Sequence, residues 1–597
     1  AASDGYKGQL SHRLVAQLAE DNESLEFVAF VGEEHRSDFS EIVARGREAG
    51  ATIEYSSENF FAFTGRAAKS TILQLARWDE LSRISLADYG AVQLSGGSNE
   101  CDNGSTWSGG ATNWASHTGI AALNTGAFGV TADGSGEYLA IPEATYCNVH
   151  RSHDTFGAAA VVAQNSDSCM VSADCSCEGL LGPGSVSRCI DGECVSEHMS
   201  QVASAAIGYR DPDGWGAFKS TLYFPSGTTV TGFSRLVPCH ATGILAMYDY
   251  IADRADAVGR HVLSMEAWTC LATESDGGDI QDLVSRTKPI VVFKSAGNNT
   301  GIDQNIACRR TANSICVGGT RANGTLHPNS NYQNPSAVDR EEPDVMALYD
   351  NVDVLSCRDD DLYRSNNGTS FAMPSAAAAA ALMRDACDED FNPRQMRAYM
   401  RFAAVSVHGT AASTPGFGID HRDGGGLTEG KFIAGLCGYG PYSGMVHTGT
   451  IIPDLDSDPS VPGWIDNAFV PTPTSARLLG GSGRYGQAIG RLDVHSNGAG
   501  MRFVASWDGC PPSMGGTSVT MAGTDYDFLL CNPTTMACVS GSQSFDDNVE
   551  SFSVSGLPSG QYDLMYLHDR QTCTPSIAVE PIAWVGAVWG NITWTQY

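Results

Sequence analysis

The run Pro289-Ile290-Val291-Val292-Phe293 has no polar position, so a strand made from it has no face to give to water. Only a sheet covered on both sides accommodates such a strand, and sheets of that kind are mostly parallel, with helices crossing between the strands. The pattern recurs from Thr118 to Cys437. Tyr138-Leu139-Ala140-Ile141, Val262-Leu263-Ser264-Met265 and Ile315 to Gly318 read as short buried strands. Between them Phe156 to Ala163, Ile244 to Ala255 and Pro374 to Arg384 read as helices, the first and last rich in alanine. The expected fold class is α/β, a parallel sheet with helices on both faces.

The flanks differ. Leu25 to Val31 reads as a strand, Asp38 opens a helix that ends near Gly50, and Thr52 to Phe63 is extended. Ala67 to Trp78 is a second helix and Ile84 to Leu86 a closing strand. A β-α-β-β-α-β order predicts a ferredoxin-like α+β module. Ser95 to Gly110 is rich in Gly, Ser and Asn and reads as an exposed linker. From about 438 onward short alternating strands such as Met501 to Ala505, Phe528 to Leu530 and Tyr562 to Met565 sit between Gly, Pro and Asp turns, which predicts a β-sandwich. The expected division is 1–94, a linker at 95–117, a large domain at 118–437, and 438–597.

Eighteen cysteines are present, with no paired C-x2-C knuckles of the kind zinc takes, so they read as disulfides of an oxidising compartment. Cys169, Cys175, Cys177, Cys189 and Cys194 crowd into one stretch, which predicts a stapled insertion at 165–198 with one bridge leaving it, to Cys147. Ala1 to Gly5 lack the basic and apolar regions of a signal peptide, as in an already trimmed chain. The net charge of −32 repels phosphate backbones and anionic lipid, so neither nucleic acid nor a membrane surface is an expected partner. No stretch approaches 18 consecutive apolar residues.

The most informative segment is Asn367-Gly368-Thr369-Ser370-Phe371-Ala372-Met373-Pro374-Ser375, running into alanines. A serine at the start of a buried helix holds its hydroxyl at the positive end of the dipole, and small neighbours let a carbonyl approach. Taken by itself, Gly-Thr-Ser reads as an N-cap. The whole string resembles the nucleophile motif Gly-Thr-Ser-x-Ala-x-Pro of the subtilisin-like serine proteases. Other pieces of that resemblance follow in order. Ser295-Ala296-Gly297-Asn298 comes after an apolar strand, where the family keeps the side-chain amide of its oxyanion hole, and Glu342-Pro343-Asp344-Val345-Met346-Ala347 resembles its Pro-Asp-Val-x-Ala segment.

For the general base the family has His-x-Thr-x-x-Ala-Gly at the start of a helix. His153 is followed by Thr155, Ala158 and Ala159 at matching places; the alternative, His150, puts Phe156 where a tiny residue must pack. The acid is a departure. In the register set by Gly119 to Asn124, the family's Asp-Thr-Gly position is held by Glu143 in Gly134-Ser135-Gly136-Glu137-Tyr138-Leu139-Ala140-Ile141-Pro142-Glu143. A glutamate also accepts a hydrogen bond from imidazole and stabilises the imidazolium; Asp133 and Asp154 are the nearest alternatives. The sedolisins share Gly-Thr-Ser but use an oxyanion aspartate and no catalytic histidine, unlike Asn298 and the His153 segment.

The resemblance therefore implies a secreted serine endopeptidase made as a zymogen, with Ser370 as nucleophile, His153 as base, Glu143 as acid, and Asn298 with the Ser370 amide holding the oxyanion. Residues 24–92 resemble the family's inhibitory prodomain, an intramolecular partner clipped off within the linker, and the tail resembles its jelly-roll domains. Val262 to Trp268 resembles the strand lining the primary substrate pocket, which gives Glu266, Ala267, Trp268 and Gly297 as substrate-binding residues; the alternative is an ion-paired Glu266 and a packing Trp268. The family requires no cofactor, though structural calcium is common in it, and Asp454-Leu455-Asp456-Ser457-Asp458 and Asp359-Asp360-Asp361 offer oxygen ligands. Two rivals stand beside the protease, a catalytically impaired binding scaffold and an acyl transferase of the same family.

Overall fold

The structure is a computed structural model that describes residues 10–20, 24–88, 92–94, 118–142, 149–156, 159–163, 187–191, 193–208, 216–224, 240–270, 278–298, 308, 311, 313–332, 342–356, 362–405, 424–451, 464–466, 485–508, 525–535, 537–542, 549–570 and 581–596. At its centre lies a nine-stranded sheet. From edge to edge its strands are Ala404–Val405, Leu427–Thr428, Val345–Leu348, Ile315–Thr320, Ile290–Ser295, Val262–Glu266, Tyr138–Ala140, Thr221–Phe224 and Ala160–Ala163. Every neighbouring pair is parallel except Ala404–Val405 with Leu427–Thr428.

The apolar runs are what the sequence requires of a two-sided sheet. Leu263, Met265, Val291 and Phe293 pack on one face with helices Glu197–Ile207 and Thr369–Cys387. Val262, Ile290 and Val292 pack on the other with helices Ala241–Val258 and Gly278–Thr287. Ala376 to Ala381 are all buried, so the long helix lies against the sheet with little side chain between. One expected element is different in kind. Phe156 to Ala163 does not form a helix: Asp154–Phe156 is a single 3-10 turn and Ala160–Ala163 is the edge strand. In the edge position Ala160–Ala163 gains a parallel neighbour and Val161 packs against the core, which outweighs the helix propensity of its alanines.

Before the sheet, strands Thr52–Ser57, Ala62–Ala67, Leu25–Val31 and Leu81–Leu86 form an antiparallel sheet in that order, with helices Phe39–Glu48 and Lys69–Leu75 on one face. The extended stretch expected from Thr52 to Phe63 is thus two strands of a hairpin, broken at Phe61 with its φ of 49°. The result is the β-α-β-β-α-β order of the ferredoxin-like module. Val28, Phe30, Phe60 and Ala62 on its open face pack against helix Ala241–Val258. There Ser57 Oγ donates to Asp249 at 2.7 Å, Tyr55 donates to the same carboxylate, and Thr64 meets Thr242 at 2.7 Å.

The tail is a two-sheet β-sandwich. One sheet holds Val446–Ile451, Ile582–Trp589, Ala499–Ser506 and Val549–Leu557; the other is built on Tyr485–Val494, Gly560–Arg570 and Asp525–Cys531. Phe503, Trp507, Phe528 and Trp584 fill the space between them. The sandwich is docked through helix Pro393–Phe402. Arg502 donates to the carbonyls of Arg401 (2.8 Å) and Ala404 (2.7 Å), so a cation sits at the negative end of that helix. Burial pulls its guanidinium down to about 9, which still leaves it charged at neutral pH. Arg397 donates to the Trp507 carbonyl (3.0 Å), and Arg394 pairs with Asp508 (2.8 Å). Arg502→Met removes two charged hydrogen bonds and is expected to cost about 3 kcal/mol, read as an earlier melting step for the sandwich in calorimetry.

Cys308–Cys316, Cys387–Cys437 and Cys531–Cys538 are disulfides, and Cys189 and Cys194 are also disulfide-bonded. This bonding suits an oxidising compartment. Cys147, Cys169, Cys175 and Cys177 lie outside the described residues, as do both Asp runs suggested for calcium. Among the described residues no helix is long and apolar enough to cross a membrane.

Candidate active site

Ser370 lies in the first turn of helix Thr369–Cys387, fully buried, with its Oγ 3.3 Å from the Ala267 carbonyl. That carbonyl belongs to the residue directly after strand Val262–Glu266, so the helix start and the strand end meet at one edge of the sheet. The helix opens at Gly368, whose φ of 148° turns the chain into it.

Asn298 follows strand Ile290–Ser295 at the same edge. Its Oδ1 accepts from the Thr369 backbone N–H at 2.9 Å and from Thr369 Oγ1 at 3.0 Å. Thr369 Oγ1 in turn accepts from the Gly297 N–H at 3.1 Å. Tying the carbonyl end of the amide to the helix start sets the other end, the NH2 donor, as the one turned outward. Gly297 has a φ of 105°, and a Cβ there would meet Asn331 Nδ2 at 2.6 Å, so the turn that presents Asn298 requires glycine.

His153 is buried directly before the 3-10 turn Asp154–Phe156 that precedes the edge strand. Its Nε2 is 2.9 Å from the Leu362 carbonyl and its Nδ1 accepts the Thr155 N–H at 3.1 Å, so backbone groups hold both ring nitrogens in one neutral tautomer. The ring stands edge-on to Tyr363. The alanine helix that was to carry His153 is a strand. His150 donates its backbone N–H to Ser200 Oγ at 3.0 Å.

A third histidine holds the position that the pattern describes. His198 lies in the first turn of helix Glu197–Ile207, capped by Ser196, whose Oγ accepts the Met199 N–H at 3.4 Å. This helix packs beside the Ser370 helix, and the His198 ring lies 6.1 Å from that of Phe371, the residue next to Ser370. The sequence signal is His198-Met199-Ser200-Gln201-Val202-Ala203-Ser204, with serine for the threonine and for the glycine of the pattern. It is easily passed over because a long cysteine-rich stretch separates it from strand Tyr138–Ala140.

Glu143 lies outside the described residues, but Pro142 before it is at this edge too: its carbonyl accepts from Trp268 Nε1 at 2.7 Å. Asp133, by contrast, lies before strand Tyr138–Ala140 and pairs with Lys219 at 2.6 Å, at the opposite end of the sheet; Asp154 is exposed. The substrate-pocket assignment of Glu266 does not survive. Side chains alternate along the strand, so with Met265 and Ala267 facing the Ser370 helix, Glu266 points to the other side. There it meets Lys294 (3.2 Å), Tyr248 and Gln281 (3.4 Å). Trp268 is likewise a buried packing residue, 2% exposed, while its backbone is at the edge. Strand Trp268–Cys270 pairs antiparallel with Val92–Leu94, in register Trp268 to Leu94 and Cys270 to Val92.

Residues 193–426 match the model of the subtilase family, a span that takes in His198, Asn298 and Ser370. No curated protein matches the chain. Among solved structures it is similar to fervidolysin from Fervidobacterium pennivorans, a keratinolytic enzyme related to subtilisin (13% identity, TM-score 0.46, 100% of this chain and 95% of that one). It is also similar to the epidermin leader peptide processing serine protease of Staphylococcus aureus (13% identity, TM-score 0.44, 69% of this chain and 98% of that one).

Proposed function

We propose that the chain, whose residues 193–426 match the subtilase family model, is a secreted serine endopeptidase made as a zymogen, with His198 rather than His153 as its general base. The observation that carries this reading is the placement of Ser370 and His198 in the first turns of two packed helices, with Asn298 bound to the same helix start.

In the proposed reaction Ser370 Oγ attacks a peptide carbonyl carbon while His198 takes its proton. The negative oxygen that forms is met by the Asn298 amide and the Ser370 N–H, neutral donors that stabilise charge without giving up a proton. Collapse breaks the C–N bond as imidazolium protonates the leaving amine. Water, activated by the same imidazole, then releases the acyl group from Ser370. Glu143 is assigned to hold the imidazole in its productive tautomer. No cofactor takes part, and structural calcium stays an optional addition. Asn298→Ala is expected to lower kcat about 100- to 1,000-fold with KM little changed, measured on a chromogenic peptide.

The pairing of Val92–Leu94 with Trp268–Cys270 supports the zymogen part of the reading. It lays a strand of the chain itself along the edge where Ala267 meets Ser370, the way β-augmentation holds an extended peptide. The N-terminal module is then an intramolecular inhibitor, and processing falls in 95–117. The test is a time course of the full chain by intact mass with casein present. Self-cleavage within 95–117 together with casein digestion is expected. An intact, inert chain, even after another protease removes the module, would hand the function to a binding scaffold.

A further inference from the structure

Glu266 and Lys294 are directly opposite one another in neighbouring parallel strands, 0% and 5% exposed, with Lys294 Nζ 3.2 Å from Glu266 Oε2. Tyr248 and Gln281, from the two helices covering that face, also donate to the Glu266 carboxylate. The Lys294 ammonium lies 5.1 Å from the centre of the Trp268 ring, whose Nε1 reaches the Pro142 carbonyl. The buried cation therefore sits on the strand that leads to Asn298, pairs with the last residue of the strand that leads to Ala267, and lies over Trp268, which in turn bonds the Pro142 carbonyl.

A buried ion pair contributes little net stability compared with apolar side chains of the same volume, because both charges lose their water. The pair's location suggests a different use. Three residues separate Lys294 from Asn298, and the end of the Lys294 strand is flanked by the Cys308–Cys316 disulfide, whose Cys308 Sγ is 3.7 Å from the carbonyls of Lys294 and Ser295. Ala296 packs against both of these cysteines. We infer that the Glu266–Lys294 ion pair is a positioning element that fixes where Asn298 presents its amide to the oxyanion. The inference rests on the protease reading above.

The double variant Glu266→Gln/Lys294→Met leaves neither charge unpaired, and the glutamine still accepts from Tyr248. In the otherwise unchanged enzyme it is expected to lower kcat on a chromogenic peptide about 10- to 100-fold, as misplacement by about an ångström does, with KM within about threefold. In an Asn298→Ala background the same double variant is expected to cost less than about threefold, since the group it positions is gone. An equal loss in both backgrounds, or no loss in either, would overturn the inference. Glu266→Gln alone, put through the same pair of backgrounds, decides the matter if the double variant does not fold. Hydrolysis by the wild type separates the two levels: with none, the protease reading falls and this inference with it, whereas normal wild-type turnover with additive losses removes this inference alone.

Discussion

His198→Ala is expected to lower kcat by about 10⁴- to 10⁶-fold, the scale on which loss of a triad base acts, while His153→Ala stays within about tenfold of the unchanged enzyme. The contrast follows from what holds each ring. His153 has one nitrogen on the Leu362 carbonyl and the other on the Thr155 N–H, an arrangement that locks a loop. Taking a proton from serine would require it to abandon one of those bonds. His198 opens a helix beside the Ser370 helix, in the span that matches the family. Stopped assays on a peptide substrate, with circular dichroism to establish that both variants fold, give the comparison. His153 is expected to show its effect in the melting temperature instead, because its removal leaves the Leu362 carbonyl and Thr155 N–H to find other partners.

Ser370→Ala is expected to remove turnover by about 10⁶-fold and to leave the chain uncut within 95–117 for as long as the unchanged protein takes to process fully. The side chain is small and buried, and its Oγ donates a long hydrogen bond, 3.3 Å, to the Ala267 carbonyl. Ser→Ala removes one hydroxyl and leaves the packing volume nearly unchanged, a change on the scale of about 1 kcal/mol, so the variant should melt within a few degrees of the original. A sample that is folded, intact and inert separates the nucleophile from the scaffold. It would also retain the Val92–Leu94 strand along Trp268–Cys270, the state that processing ends.

The helix at Ser370, the strand before Asn298 and the sheet as a whole were legible because each depends on local sequence. An unbroken apolar run admits few environments, and Gly-Thr-Ser followed by alanines admits few backbones. His198 was harder. The distance from strand Tyr138–Ala140 to helix Glu197–Ile207 varies with whatever is inserted between, and here a cysteine-rich stretch of sequence fills it. The Phe156–Ala163 stretch misled for a related reason, since Ala-Ala-Ala-Val-Val-Ala carries no periodicity that separates a buried edge strand from a buried helix. Glu266 shows a third limit. A charged residue in a strand that runs into the active site looks like a specificity residue until its face is known, and the face depends on a register that only the paired strand Ile290–Ser295 supplies.

The measurement that bears most directly on the whole account is covalent labelling with diisopropyl fluorophosphate, after another protease has removed the N-terminal module from every variant alike, followed by intact mass and peptide mapping. The reagent phosphorylates an activated serine and releases fluoride, so it reports the nucleophile and its base together. A single adduct on Ser370, absent from His198→Ala and present in His153→Ala, is the predicted result. An unlabelled chain, a label on another residue, or a label that depends on His153 and not on His198 would contradict it.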